Sequence, residues 1–169
     1  MANSRKSLPL NNSQIAVAVI AFERALEEIL ARVVLSDGAA IAVACSGGLD
    51  SAVLLHLSAN FFASHPNLCS HPLHVFHVHH GLSPNADHWL AHVQSECEQL
   101  NLPFNARKVS VTSVDEHGPE NAARLARYDA LSSLCTTHRV ELLLTAHHQD
   151  DQAETVMLQA LRGAGLPGW

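Results

Sequence analysis

Residues 41–57 read IAVACSGGLDSAVLLHL, and they restrict the fold more than any other stretch of the chain. Apolar residues of strand type, Ile41 to Ala44, run into Cys45-Ser46-Gly47-Gly48. An apolar helical run then follows from Asp50 through Ala52, Val53, Leu54, Leu55 and Leu57. Two adjacent glycines admit backbone conformations closed to residues with a Cβ, so successive N–H groups can converge on one point. The following helix aims the positive end of its dipole at that point, and Ser46 and Ser51 add hydroxyl donors. The stretch reads as a seat for a phosphate or pyrophosphate group.

No lysine follows these glycines, so the Walker pattern is absent. Asp50 stands there instead, which is an odd neighbour for phosphates unless a cation lies between them. Mg²⁺ is the natural cation, since it joins one or two carboxylates to nucleotide phosphates. The plainer alternative is a glycine turn between strand and helix, with Asp50 as an ordinary cap.

The rest of the chain alternates strand and helix patterns. Residues 1–11 read as a loose tail, and Asn12 or Ser13 is placed to cap a helix reaching about Leu35. Its apolar face carries Ile15, Val19, Phe22, Leu26, Ile29 and Val33. Further strands are expected at Leu73–Val78, Phe104–Val111 and Val140–Ala146. Helices are expected from Ser83-Pro84 to Leu100, from Pro119 to about Thr137, and from Asp150 to Leu161. The alternation predicts an α/β fold: an open, mostly parallel sheet of at least four strands with helices on both faces. Ligands of such sheets bind at the carboxyl ends of strands where strand order reverses. In a 3-2-1-4 order that point brings the Ser46–Ser51 loop beside the segment Ala146–Glu154.

Composition narrows the class. A chain of 169 residues with 47% hydrophobic residues and mean hydropathy near zero is one domain with a full core. The net charge of −6 argues against nucleic-acid binding over the whole surface, though not against a local basic groove. Four widely spaced cysteines without a CxxC pair read as reduced, buried thiols of a cytoplasmic protein. The apolar run near the N-terminus continues into the amphipathic sequence Glu23–Leu30, so it is neither a signal peptide nor a membrane span.

Three further groupings carry chemistry. After the fourth strand comes AHHQDDQAET, in which Asp151, Glu154 and Thr155 share one face of the expected helix and His147 sits at the strand exit. An acidic first turn that complements a helix dipole explains the acids alone, but not the two histidines beside them. In ENAARLARY, Arg124, Arg127 and Tyr128 share one side of a helix. Those arginines either reach an anionic ligand or belong to a solvated face with a Glu120–Arg124 pair. His77, His79 and His80 end the second strand, and among thirteen histidines they invite a rival reading as a His/Asp metal site of a phosphoesterase. That rival leaves SGGLDS without a task. Near the end, GAGLPG follows a helix rather than a strand, so it is a glycine-rich helix exit and no dinucleotide fingerprint.

SGGLDS, HVHHGLSPNADHW, ENAARLARY and AHHQDDQAET followed by LRGAGLPG, in that order over residues 41–168, resemble the tRNA(Ile)-lysidine synthetase branch of the PP-loop ATP pyrophosphatases. The related enzymes that thiolate tRNA cytidine resemble the chain less, since they carry a CxxC that is missing here. The resemblance implies an adenine nucleotide alpha hydrolase-like, Rossmann-like domain over 12–169. It also implies an ATP-dependent ligase that joins lysine to the wobble cytidine of an isoleucine tRNA with a CAU anticodon. A non-catalytic adenine-nucleotide binding module of the same fold is the other alternative.

By that resemblance Ser46, Gly47, Gly48, Leu49, Asp50 and Ser51 hold the pyrophosphate, and Asp50 with Asp151 holds Mg²⁺. Asp151 and Glu154 attract the lysine ammonium. Arg124 or Arg127 meets its carboxylate or the α-phosphate, and His147 contacts the base or moves a proton. The partners it implies are tRNA(Ile), L-lysine and no membrane, with a homodimer left open. The family's synthetases continue into tRNA-gripping segments. The piece alone is therefore expected to bind ATP weakly at best, to modify no tRNA, and to lack the last strand and helix that would cover a sheet edge.

Overall fold

The computed structural model describes residues 11–68, 70–79, 81, 84–109, 119–149 and 152–159. Its elements are α1 (Asn12–Arg32), β1 (Ala40–Ala44), α2 (Leu49–Ser64), β2 (Leu73–His79), α3 (Ala86–Gln99), β3 (Phe104–Lys108), α4 (Pro119–Thr137), β4 (Val140–Gln149) and β5 (Gln152–Gln159).

α1 belongs to one compact unit, and the sheet belongs to a second that begins at Leu35. The cap of α1 is Asn11, one residue before the expected positions. Gln14 stands three residues on, so the two side chains close a reciprocal box, each accepting from the other's backbone N–H at 2.9 Å. The helix stops at Arg32 rather than near Leu35, where the β-branched Val33 takes an extended conformation. Of the expected apolar face Leu26 is buried, whereas Ile15 is half-exposed.

In the sheet unit the strand order is β3-β2-β1-β4-β5. β1 pairs parallel with β2 and β4, and β3 pairs parallel with β2. This is the expected parallel 3-2-1-4 sheet. β1 is central and short, so Ile41, Ala42 and Val43 are all buried, as a strand covered on both faces requires.

Alternation along the strands divides the core in two. Ala40, Ala42, Phe76, Val78, Val140 and Leu143 pack against Ala130, Leu131, Leu134 and Cys135 of α4. α2 packs on β1, β2 and β4, and α3 on β2 and β3. The Asp87–His79 contact places α3 on the side opposite α4. Phe61 of α2 and Phe76 of β2 are fully buried, and truncating either to Ala costs about 3–5 kcal/mol.

The chain after β4 departs from expectation. Instead of a helix over Asp150–Leu161, β5 turns back antiparallel on β4, with Gln149 opposite Gln152 and Leu142 opposite Gln159. β1 satisfies only one edge of β4, and the other edge offers a row of backbone donors and acceptors that a returning strand can pair. That tertiary opportunity outweighs the local helical pattern. A strand has no helical face, so Glu154 and Thr155, consecutive residues of β5, do not share one as expected; Asp151, the third member of that grouping, lies outside the described residues. β5 covers the far edge of β4 and is itself an edge strand of the described sheet.

Candidate active site

The loop after β1 is built from its own hydroxyls. The Ser51 hydroxyl is 3% exposed, accepts from the Ser46 N–H at 3.1 Å and donates to the Gly48 carbonyl oxygen at 2.9 Å. Ser46 Oγ lies 3.1 Å from Ser51 Oγ and accepts from the Gly48 N–H at 3.3 Å. Ser51 thus faces inward and ties both flanks of the glycine pair together. Gly47 takes φ +88°, in the left-handed region that a side chain disfavours. Gly48 occupies the N-cap of α2 with no side chain to satisfy the first turn, which leaves a helix start suited to an anion. Leu49 and Asp50 are exposed in that first turn.

β2 braces the loop from beneath. His77 Nδ1 lies 2.8 Å from the Cys45 carbonyl oxygen, and the Cys45 N–H donates to the Phe76 carbonyl at 2.8 Å. Burial pushes the His77 pKa below its ordinary value; the Cys45 bond opposes this and His79 adds to it. Burial raises the pKa of the Cys45 thiol, which leaves a neutral group beside the loop.

A hollow with a cavity volume of about 70 Å³ opens on the α4 face. Ala44, Cys45 and Ser46 from the end of β1, Thr145 and Ala146 from β4, and Arg127 from α4 line it, over a floor of Phe76, Val78 and Leu131. Ala44 and Thr145 are register partners, so this is the point where strand order reverses. The two segments expected to share a site do meet here, through Ser46 and Ala146.

Of the expected arginines, Arg127 is half-buried and lines the hollow, whereas Arg124 is exposed. His147 lies within β4, which runs on to Gln149, rather than at the strand exit, and is the register partner of Glu154 in β5. Asp151 lies outside the described residues, as do His80 and the glycine-rich stretch after Arg162. His77 and His79 direct ring nitrogens to Cys45 and Asp87, and no group of three metal-ligating side chains occurs among the described residues. The His/Asp metal reading therefore gains nothing from the described part of its cluster. Thr145 and Trp89 escaped the sequence reading. Thr145 continues a strand, and Trp89 sits in a helix remote in sequence from the loop it touches.

The PP-loop domain model, ATP_bind_3, matches residues 18–169. Curated relatives named tRNA(Ile)-lysidine synthase are similar to the chain. The Burkholderia mallei protein is 48% identical over 134 residues, or 79% of this chain and 26% of its own length. The Bordetella pertussis protein is 48% identical over 77% of this chain and 39% of its own, and the Haemophilus influenzae protein 45% over 76% and 29%. The chain thus spans between about a quarter and two fifths of the length of these relatives. Among solved structures, the U34-tRNA thiolase NcsA from Methanococcus maripaludis shares the fold. Its TM-score is 0.61 at 17% identity, over 76% of this chain and 46% of that one. With its glycine loop at the reversal point of a parallel sheet and the family model matching from α1 onward, the chain belongs to the PP-loop domain family.

Proposed function

We propose that the chain is the ATP-cleaving part of a ligase that joins lysine to the wobble cytidine of an isoleucine tRNA with a CAU anticodon. The observation that carries this reading is the hollow where Ser46, at the mouth of the glycine loop, meets Arg127 of α4 and Thr145 and Ala146 of β4. The similarity to proteins named tRNA(Ile)-lysidine synthase supports the choice of substrate.

In this reading the backbone of Ser46, Gly47, Gly48 and Leu49 and the start of α2 receive the pyrophosphate, while Ser51 keeps the loop in shape. The cytidine carbonyl oxygen attacks the α-phosphorus, the bond to the β-phosphate breaks and pyrophosphate leaves. The lysine side-chain amine then attacks the activated ring carbon, loses a proton and displaces AMP. Arg127, with its planar fork, takes the α-phosphate or the lysine carboxylate, and Arg124 stands one turn away. Asp151 and Glu154 attract the lysine ammonium. His147 moves the proton, because imidazole changes charge near neutrality.

The exposed carboxylate of Asp50 at the helix start, with Asp151, would hold Mg²⁺, which would supply charge that offsets the departing pyrophosphate. No helix among the described residues is long and apolar enough to cross a membrane. A cytoplasmic location belongs to the proposal.

The test grafts this chain in place of the matching 134 residues of the Burkholderia mallei relative and follows pyrophosphate release from ATP. Release that needs both lysine and tRNA, and that Asp50→Ala abolishes with the fold retained, is expected. A folded graft that releases none overturns the reading.

A further inference from the structure

Trp89, in the first turns of α3, lies against the glycine loop. A Cβ built on Gly47 would sit 2.8 Å from Trp89 Cβ, 3.1 Å from Cγ and 3.5 Å from Cα. Glycine at this position therefore does two things: it allows φ +88°, and it lets the loop backbone close onto the root of the tryptophan side chain.

Trp89 is 39% exposed, so core burial does not account for its position. Its helix is fixed independently. His79 Nε2 lies 2.9 Å from Asp87 Oδ1; a carboxylate only accepts, so Nε2 carries the proton and donates. The His79 ring is 4% exposed, and its Nδ1 has no partner, so the Asp87 bond is what orients that imidazole. A line of contacts thus runs from the end of β2 through His79 and Asp87 to α3, and from Trp89 to Gly47.

We propose that Trp89 is a positioning residue for the Ser46–Ser51 loop. Ser51 holds the loop's two flanks together from inside, and Trp89 supplies the outer wall that stops Gly47 from swinging away. The loop amides are then set before any ligand arrives, which is how a backbone cradle gains affinity. The importance of this for pyrophosphate rests on the reading under Proposed function; the placement of the loop does not.

The experiment compares the chain with its Trp89→Ala and Trp89→Phe variants by hydrogen–deuterium exchange, peptide by peptide. Trp89→Ala should speed exchange of the amides of residues 45–51 at least tenfold and leave peptides from β4 and α4 unchanged. Trp89→Phe, which keeps an aromatic wall, should restore most of the protection. Loop exchange equal to that of the parent, or a rise spread evenly over the chain, overturns the proposal. So does a parent loop that is already unprotected. If Trp89→Ala fails to fold, Trp89→Leu carries the same comparison.

A second arm titrates inorganic pyrophosphate with Mg²⁺. Trp89→Ala should bind it at least tenfold more weakly than the parent. A parent that binds no pyrophosphate sinks the functional reading, while the exchange data still decide the role of Trp89.

Discussion

The Nδ1 atom of His77 donates to the backbone carbonyl of Cys45 across 2.8 Å, joining the second strand to the first residue of the glycine loop. A carbonyl only accepts, so the ring carries its proton on Nδ1. The imidazole is 2% exposed, and it serves as a neutral brace.

This brace makes stability depend on pH. Unfolded, His77 takes up a proton near pH 6.5. Folded, burial holds its pKa lower, so the unfolded state binds more protons as pH falls below that value. Stability is therefore full above about pH 7 and drops on acidification, by at most about 1.4 kcal/mol per pH unit from this residue. His74, whose pKa is lowered by burial and by the facing His138, acts in the same direction. Urea melts between pH 7.5 and 5 should show the slope, and His77→Asn should flatten it. Equal slopes in parent and variant contradict the assignment.

The two loop glycines should respond differently to alanine. Gly47→Ala forces a side chain into φ +88° and against Trp89, at a cost of about 1–3 kcal/mol. Gly48 has φ −83°, and its nearest obstacle, Ser46 Oγ, is an ordinary 3.5 Å away. Gly48 is the N-cap of α2, where glycine is preferred to alanine, so Gly48→Ala should cost about 0.5–1 kcal/mol, less than Gly47→Ala. Denaturant midpoints of the two variants give the comparison; similar losses would place the constraint elsewhere in the loop.

Arg127 and Arg124 can be separated by ligand affinity. Arg127 borders the hollow, and a charge-assisted contact to phosphate is worth about 1.5–3 kcal/mol. Arg127→Ala should therefore weaken Mg·ATP binding tenfold or more in titration calorimetry. Arg124→Ala, on the exposed side, should weaken it less. The reverse order would move the contact to Arg124.

The buried thiols should be inert while the chain is folded. Burial pushes Cys97 up to about 12 and Cys135 up to about 11. Since the thiolate is the attacking form, alkylation by iodoacetamide at pH 8 should wait for unfolding. Mass spectrometry after labelling with and without urea tests this; rapid labelling of either cysteine in buffer alone would refute it.

Local pattern made much of this protein legible. The bounds of α4, Pro119–Thr137, and the start of each parallel strand follow from helical and alternating periods that neighbouring residues carry by themselves. The glycine loop was readable for the same reason, because a strand, two glycines and a helix define their own geometry. The outcome after β4 was not readable. Residues 152–159 carry a helical pattern, yet they form a strand because the open edge of β4 offers partners that no local pattern announces.

The sequence by itself determined that a parallel sheet presents Ser46–Ser51 at its reversal point, since short-range spacing dictates strand, turn and helix. Only the tertiary structure decided which arginine reaches the hollow. That choice depends on how Ala130, Leu131, Leu134 and Cys135 seat α4 on the sheet. It also decided that Trp89 meets Gly47, because that contact exists only once β2 has set α3 beside the loop.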